Sequence, residues 1–526
     1  MRITMLKFLS LPDIYEVIKE YNDGHWLYEL KGFMKLRQTI YRELIEMSPK
    51  YYWKIEEFSI NDMDYFFTIA SEHERSYYYT NYILQELITI GDNNLTELHS
   101  SKPFTLTEMH YAKCVLRYLK HCYLAVKWSK NNTEKYAQIN SVIPPEKVVN
   151  FFLQWLDTVN FHHLEDDLVK LQEIAEEVNQ YLSDQLKTSG SYTAEQIFSG
   201  VSHIFFRVRG ITMTPIASLD TLDIKKVWDN RLGNQIVVFV MYQAVASRLG
   251  VQADLVVFPN HLFIEWLCLE ENIEYTVHIE IGEIEAHRVC PYTHRRVDSH
   301  YKYCPDYLLQ CLHLTFMSSS GAERDWHVSN ATDLLGFLGK NYPSPYLYLF
   351  QNSNLIVDSE INMKNLKREE LPIIFSLFHL HAMGLNAVAK KPLKVLEQKR
   401  HHSSVLYAVG MICCHKYHEY QCIVRGWDRV CSVHWPYCIS NQNLIYGFDQ
   451  PYYRVIATDQ SERYIPQEHL LPVPNPTRMK HLEDLVAQGF THFDGFCYVL
   501  NDEKRLEYPD ENLIVQVYKQ RYQKMD

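Results

Sequence analysis

The hydrophobic period of this 526-residue chain changes as it is read from one end to the other. From Pro12 to about Leu186, apolar residues recur at spacings of three and four. Leu27, Leu30, Phe33, Leu36, Ile40 and Leu44 do so, then Tyr111, Val115, Leu119 and Tyr123, then Leu168, Leu171, Ile174, Val178 and Leu182. Such spacing gathers side chains into one stripe of a helix, so the region predicts a helical bundle or array. Gly91 to Asn94 and Ser129 to Thr133 are polar and read as turns between helices.

Beyond about residue 190 the pattern changes. The polar stretch Asp223 to Arg231 leads past Gly233 into the apolar run Ile236 to Ala246, which closes at Leu249-Gly250. Glycine is the usual left-handed helix stop, so this run predicts a buried helix. Ala253 to Phe258, Leu262 to Leu267 and Tyr275 to Ile281 are strand-like and predict an antiparallel sheet behind it. Val289 to Lys399 is again mainly helical, clearest at Tyr307 to Leu314, Thr332 to Leu338 and Leu371 to Met383, with a small-residue loop at Ser318 to Glu323. From Tyr407 the period falls to two, with Tyr407, Val409, Met411 and Cys413 on one register and breaks at Gly410, Gly426, Gly447 and Pro451. Short twisted strands joined by turns predict a small β-barrel, and Leu513 to Tyr522 a final amphipathic helix. The fold class is therefore α+β multidomain, with regions 1–186, 187–400, 401–475 and 476–526.

Composition narrows the function classes. Hydrophobic residues make up 47% and there are 38 tyrosines, which argues against large-scale disorder. The 12 cysteines are scattered without framework spacing, the pattern of reduced thiols, so a cytoplasmic or nuclear location is expected. The first residues carry no secretory pattern, and no apolar run approaches the roughly 20 residues that span a bilayer. A net charge of −12 disfavours a chain whose main work is neutralising phosphates. The one basic stretch, Lys390 to Ser404, reads as a solvated linker in preference to a nucleic-acid patch. Cys290, His294, His300 and Cys304 are residue types that ligate zinc, but without the usual Cys-x-x-Cys arms they read as scattered loop residues. No metal or other cofactor is expected.

Two sets of motifs carry a resemblance. Gly-Trp-Asp at Gly426 to Asp428, Asp-Gln-Pro-Tyr-Tyr at Asp449 to Tyr453 and Ser-Glu-Arg-Tyr at Ser461 to Tyr464 resemble the HspQ/YccV-type domain, SH3-like in fold and often labelled hemimethylated-DNA-binding. Asn230 to Ile236, Ala246 to Val251 and Phe258 to Phe263 resemble the SirB-type transglutaminase-like domain. Together they resemble the F-box only protein 21 family, and Trp26 to Leu44 resembles the segment that follows its F-box. Leu11 to Ile14, with Val17 and Ile18, supplies a first F-box-like turn, but the leucine-rich second half does not follow, so the F-box is divergent or missing.

Thiol transferases need a cysteine at the start of a buried helix, a histidine on a strand and an acid to orient it. The resemblance puts His261 at the histidine position, Glu280 at the acid position and Val237 at the nucleophile position. Valine cannot attack a carbonyl, so a pseudoenzyme is expected.

In the barrel, Trp427, Asp428, Trp435, Gln450, Pro451, Tyr452, Tyr453, Arg463 and Tyr464 are the candidate binding residues, and Trp427, Trp435, Tyr446, Tyr452, Tyr453 and Tyr464, with Pro436 and Pro451, are expected to build an aromatic groove for protein. Five Lys and Arg stand against six Asp and Glu between Val405 and Val473, so DNA is an unlikely partner. The resemblance implies a non-catalytic substrate-recognition subunit of a Skp–cullin–F-box ubiquitin ligase. Its partners would be the Skp adaptor and cullin–RING subunits, if an F-box is functional, and a protein substrate. A DNA-binding regulator and a thiol transglutaminase or protease are the alternatives.

Overall fold

The computed structural model describes residues 26–52, 63–72, 74–93, 105–136, 143–158, 164–186, 192–258, 261–268, 271, 273–286, 305–319, 330–331, 334, 398–400, 402–432 and 444–522. Several expectations lie outside them: the F-box-like turn at Leu11 to Ile18, the Cys290, His294, His300 and Cys304 set, Trp435, the helix at Leu371 to Met383 and all of Thr332 to Leu338 except Leu334. The chain divides into two compact units, Met1–Lys120 with Ala389–Asp526, and His121–Val388.

Helices α1 (Trp26–Tyr51) and α4 (Leu106–Tyr136) follow the predicted stripes, and α2 (Asp64–Ser71) and α3 (Glu74–Asn93) lie between them. Phe33, Ile40 and Leu44 of α1 are buried, and Phe33 meets Tyr79 of α3 edge to face at 5.8 Å. Helix α3 ends at Asn93, within the first polar break, whereas α4 continues through the second, Ser129 to Thr133. That second stretch has neither Gly nor Pro, and once a helix is nucleated each added residue gains a backbone hydrogen bond.

In the second unit, α5 (Pro145–Leu156), α6 (Leu164–Leu186) and α7 (Ala194–Ser202) surround a central helix. A short parallel pair, β1 (Thr212–Thr214) with β2 (Leu232–Asn234), leads into it. The polar stretch after Asp223 is not a plain connection but helix α8 (Ile224–Asn230), capped by the Asp223 side chain and ended by Arg231 in the left-handed conformation at φ 61°. The central helix α9 (Gln235–Arg248) is apolar on every side, with Val237, Val238, Val240, Met241 and Tyr242 fully buried, as a helix enclosed by its own domain must be. It stops at Leu249-Gly250, with Gly250 at φ 98°.

Behind α9 lies an antiparallel sheet of β3 (Asp254–Phe258), β4 (His261–Cys268), β5 (Ile273–His278) and β6 (Glu283–Ala286) in sequence order. Leu255, Leu262, Ile264 and Val277 join the α9 core, while Val256 and Phe263 are buried outside it, so the sheet is covered on both faces. Strand β6 gave no pattern because its Glu-Ile-Glu-Ala is a largely exposed edge, where charge discourages pairing with another chain. Helix α10 (Pro305–Ser319) follows the sheet in this unit.

The C-terminal part of the first unit holds β7 (Ile412–His415), β8 (Gln421–Asp428), β9 (Tyr452–Ala457), β10 (Glu462–Pro466) and β11 (Leu470–Pro472) in one sheet of order β10-β9-β8-β7-β11. The expected barrel is not closed: among the described residues its end strands, β10 and β11, do not pair. The sheet is nevertheless strongly curled. A flat five-stranded sheet would separate its end strands by about 19 Å, yet β10 and β11 are joined by the single 3-10 turn Gln467–His469, which rises only about 2 Å per residue. Both edges are guarded, β10 by Glu462 and Arg463, β11 by Pro472 and by the Tyr407 hydroxyl, which donates to the Leu470 carbonyl at 2.8 Å.

The alternation at Tyr407 to Cys413 is not a strand throughout. Only Ile412 onward is, and Tyr407 to Met411 are all buried, with Gly410 wedged between Val424 and Tyr498. The chain ends in the hairpin β12 (Phe490–Phe493) and β13 (Tyr498–Leu500), then α11 (Asp502–Glu507) and α12 (Glu511–Tyr522). The expected solvated linker is anchored at Lys399, whose ammonium donates to Asp428 Oδ1 at 2.5 Å and to the Trp427 carbonyl at 2.8 Å.

Candidate functional site

In the second unit, the N-terminus of α9 is where a thiol transferase of this layout needs its nucleophile. Asn234 caps it by accepting from the Ile236 amide, and Val237, the third helical residue, is fully buried. The approach to the helix is tightly packed at Gly233, where a Cβ would stand 2.6 Å from Val227 and 2.8 Å from Val238. His261 opens β4 opposite Phe258. Glu280, expected on a strand, lies instead in the exposed turn between β5 and β6, because the strand ends where the His278 carbonyl accepts from the Ile281 and Gly282 amides. Gly282 is needed there: at φ 74° its missing Cβ would fall 2.6 Å from Ser199 Cα. Cys268 closes β4 at the opposite end from His261, seven residues or about 23 Å along an extended strand.

Polar groups near α9 serve packing. Tyr242 donates to the Phe198 carbonyl at 2.7 Å, Ser202 donates to the Ile279 carbonyl at 2.6 Å, and the two hydroxyls are 2.9 Å apart. Burial pushes the Tyr242 hydroxyl well above its ordinary range. This network fastens α7 to α9 and to the turn that holds Glu280.

In the curled sheet, the motif residues converge on Asp428. Its carboxylate accepts from Lys399, from Ser432 Oγ at 2.8 Å, from Tyr464 at 3.0 Å and from Arg454 at 3.3 Å. Burial alone would raise this carboxyl, but the Lys399 contact and the other donors outweigh it and hold it below the usual range. Tyr464 stacks on Tyr452 at 5.2 Å. Arg463 lies over the Tyr420 ring at 4.1 Å and is paired with Asp459.

Other expected groove residues are interior. Trp427 is buried and its indole N–H donates to Glu511 Oε1 at 2.9 Å. Tyr452 and Tyr453 are fully buried, and the Tyr453 hydroxyl accepts from the Leu406 and Tyr407 amides while donating to Gln467 at 2.7 Å. Gln450, also buried, donates to the Gly447 carbonyl and accepts from the Glu468 amide. Pro451 is buried and its carbonyl accepts from the Gln467 amide. These residues therefore build the sheet and its turns and do not line an open groove.

Of the expected groove residues, Tyr446 is exposed, at 69%, in the loop that precedes β9, beside Ile445 at 75% and Phe448 at 49%. The loop is held from beneath by Glu468, whose carboxylate accepts from the Ile445 and Tyr446 amides. Gly447, at φ 61°, and Pro451 were the signals in the sequence for this turn. Lys399, Glu468 and Glu511 gave none, since each acts through a partner distant in the chain.

Among the described residues, no group of three or more His, Cys, Asp or Glu is placed to hold a metal ion, and no helix is long and apolar enough to cross a membrane. Residues 166–296 match the transglutaminase-like superfamily, and residues 405–496 match the family described as hemimethylated DNA-binding protein YccV like. F-box only protein 21 of Mus musculus is 22% identical over 353 residues, covering 60% of this chain and 56% of the relative. The Homo sapiens protein of that name is 22% identical over the same length, covering 60% and 55%. That of Pongo abelii is 33% identical over 118 residues, covering 22% of this chain and 19% of the relative. The chain thus spans about half the length of the mouse and human relatives and carries the transglutaminase-like and YccV-like segments in that order. No solved structure matches.

Proposed function

We propose that this chain is a non-catalytic substrate-recognition subunit of a ubiquitin ligase of the Skp–cullin–F-box type, with a pseudoenzyme core and an SH3-like C-terminal domain that contacts protein. The observation that carries the reading is Val237, fully buried at the start of α9 where acyl transfer requires an attacking atom. Partner subunits would transfer ubiquitin, so this chain needs no nucleophile. The charges of the curled sheet support protein over DNA as its partner. Three of its five cations already sit on carboxylates: Arg425 on Glu462 at 3.7 Å, Arg454 on Asp428 at 3.3 Å and Arg463 on Asp459. Phosphate binding needs cations that are not already neutralised.

The test is reconstitution of the full chain with purified Skp adaptor, cullin and RING subunits. The chain is expected to co-elute with the adaptor and to direct ubiquitin onto a bound protein. That activity is expected to be unchanged when Cys122, Cys268, Cys290, Cys304 and Cys311, the cysteines between residues 121 and 388, are replaced by alanine. Failure to bind the adaptor counts against the ligase assignment, and loss of transfer in the variant with these five cysteines replaced, if it remains folded, counts against the pseudoenzyme.

A further inference from the structure

We propose that the reversal between β7 and β8 is a proton-sensitive latch, held closed by the lone pair of His415 Nδ1 and released when that nitrogen takes up a proton. Strand β7 ends on His415 and β8 begins at Gln421. Between them, His415 Nδ1 accepts from the Tyr417 amide at 3.2 Å and the His418 amide at 3.1 Å. The His415 amide donates to the Tyr420 carbonyl, and its carbonyl accepts from the Glu419 amide, each at 2.8 Å. Glu419 is held in the left-handed conformation at φ 56°. One imidazole nitrogen thus holds the two central amides of a reversal closed by two backbone bonds.

Those two amides fix the tautomer. With Nδ1 accepting, the neutral ring carries its proton on Nε2, and a second proton has only Nδ1 to occupy. The protonated nitrogen would then point an N–H at two other N–H groups. Charging the ring and opening the reversal are therefore one event.

The surroundings oppose that charge. His415 is 6% exposed, and its ring lies 4.7 Å from His418, 5.0 Å from Tyr420 and 5.6 Å from His469. The reversal itself contributes Lys416, Tyr417, His418, Glu419 and Tyr420. Strand β10 contributes Arg463, and the 3-10 turn contributes Glu468 and His469. Two of the nearby carboxylates are engaged elsewhere: Asp459 holds Arg463, and Glu468 accepts from Ile445 and Tyr446. No carboxylate among the described residues is hydrogen-bonded to the His415 ring. Burial, then His418, His469 and Arg463, hold the imidazole down at about 4.

A histidine lowered in the folded state stabilises the closed form fully above its free value of about 6.5. That contribution drains away as pH falls from there toward about 4. Within this window the open population rises about tenfold per pH unit. Opening would spread to the 3-10 turn, because the Lys416 amide donates to the His469 carbonyl at 2.8 Å and His415 is the register partner of Leu470. The same turn carries Glu468, which holds the exposed Ile445 and Tyr446 in place.

The test is hydrogen–deuterium exchange on the full chain between pH 7.5 and 5.0, corrected for intrinsic exchange and read in peptides covering residues 415–420. Protection is expected to hold above pH 6.5 and to fall about tenfold per unit below it. H415N is expected to give a flat profile, because the asparagine oxygen accepts the same amides without titrating. If H415N does not fold, His418→Gln with His469→Gln decides: removing two ring neighbours is expected to reduce the loss at pH 5.0. Constant wild-type protection down to pH 5.0, a parallel loss in H415N, or an undiminished loss in the double variant overturns the latch.

Discussion

Glu511 shows how much a single side chain can organise. It is 2% exposed at the start of α12, and its two oxygens accept from the Trp427 indole at 2.9 Å and from the Val409 amide at 2.5 Å. The carboxyl thereby joins the C-terminal helix, the curled sheet and the buried segment before β7. Burial pushes it up to about 7 in spite of those two donors. A carboxyl raised on folding adds most stability below its unfolded value and loses it as pH rises through the folded one. The stability difference between wild type and E511Q should therefore shift against the wild type by on the order of 2 to 3 kcal/mol from pH 5 to pH 8. Urea unfolding at several pH values measures it, and a constant difference would contradict the burial argument. Asp428, Asp459 and Asp494 do not share this window, since their carboxyls are lowered and lose stability only in acid. The sequence made Trp427 visible as an aromatic but not its burial, because its partner lies 84 residues away.

Among the elements, those defined by local pattern were legible and those defined by contact were not. Helix α9 announced itself through an apolar run, interrupted only by Gln243, between a capping asparagine and a glycine stop. The segment 407–411 misled, since alternation normally means one wet face, whereas here both sides are covered. Its Gly410 amide donates to Val424, its carbonyl accepts from Tyr498, and its φ is 91°. A Cβ there would meet the Tyr498 carbonyl oxygen at 2.1 Å. G410A should therefore destabilise the first unit by about 3 kcal/mol or more, combining a clash with a left-handed backbone. Chemical denaturation would register this as a lower midpoint, and a change below about 0.5 kcal/mol would mean that the segment is free to move.

On the scale of the whole molecule, the sequence located a helical region and a C-terminal β region without indicating that they share a unit. Ser48 donates to Glu503 at 2.7 Å, Thr107 donates to the Phe490 carbonyl at 2.9 Å, and Lys113 pairs with Asp484 at 2.6 Å. Periodicity reveals which face of a helix is buried but not against what, so contacts across more than 370 residues leave no local trace. The pseudoenzyme proposal rests on a single position read from the sequence, Val237, which is buried at the start of α9. Intact-mass spectrometry of the purified full chain, incubated with a glutamine-bearing peptide and a primary amine, tests the pseudoenzyme reading most directly. The account predicts an unmodified protein mass and no cross-linked product. An acyl adduct mapped to a side chain between residues 121 and 388, with release of ammonia, would contradict it.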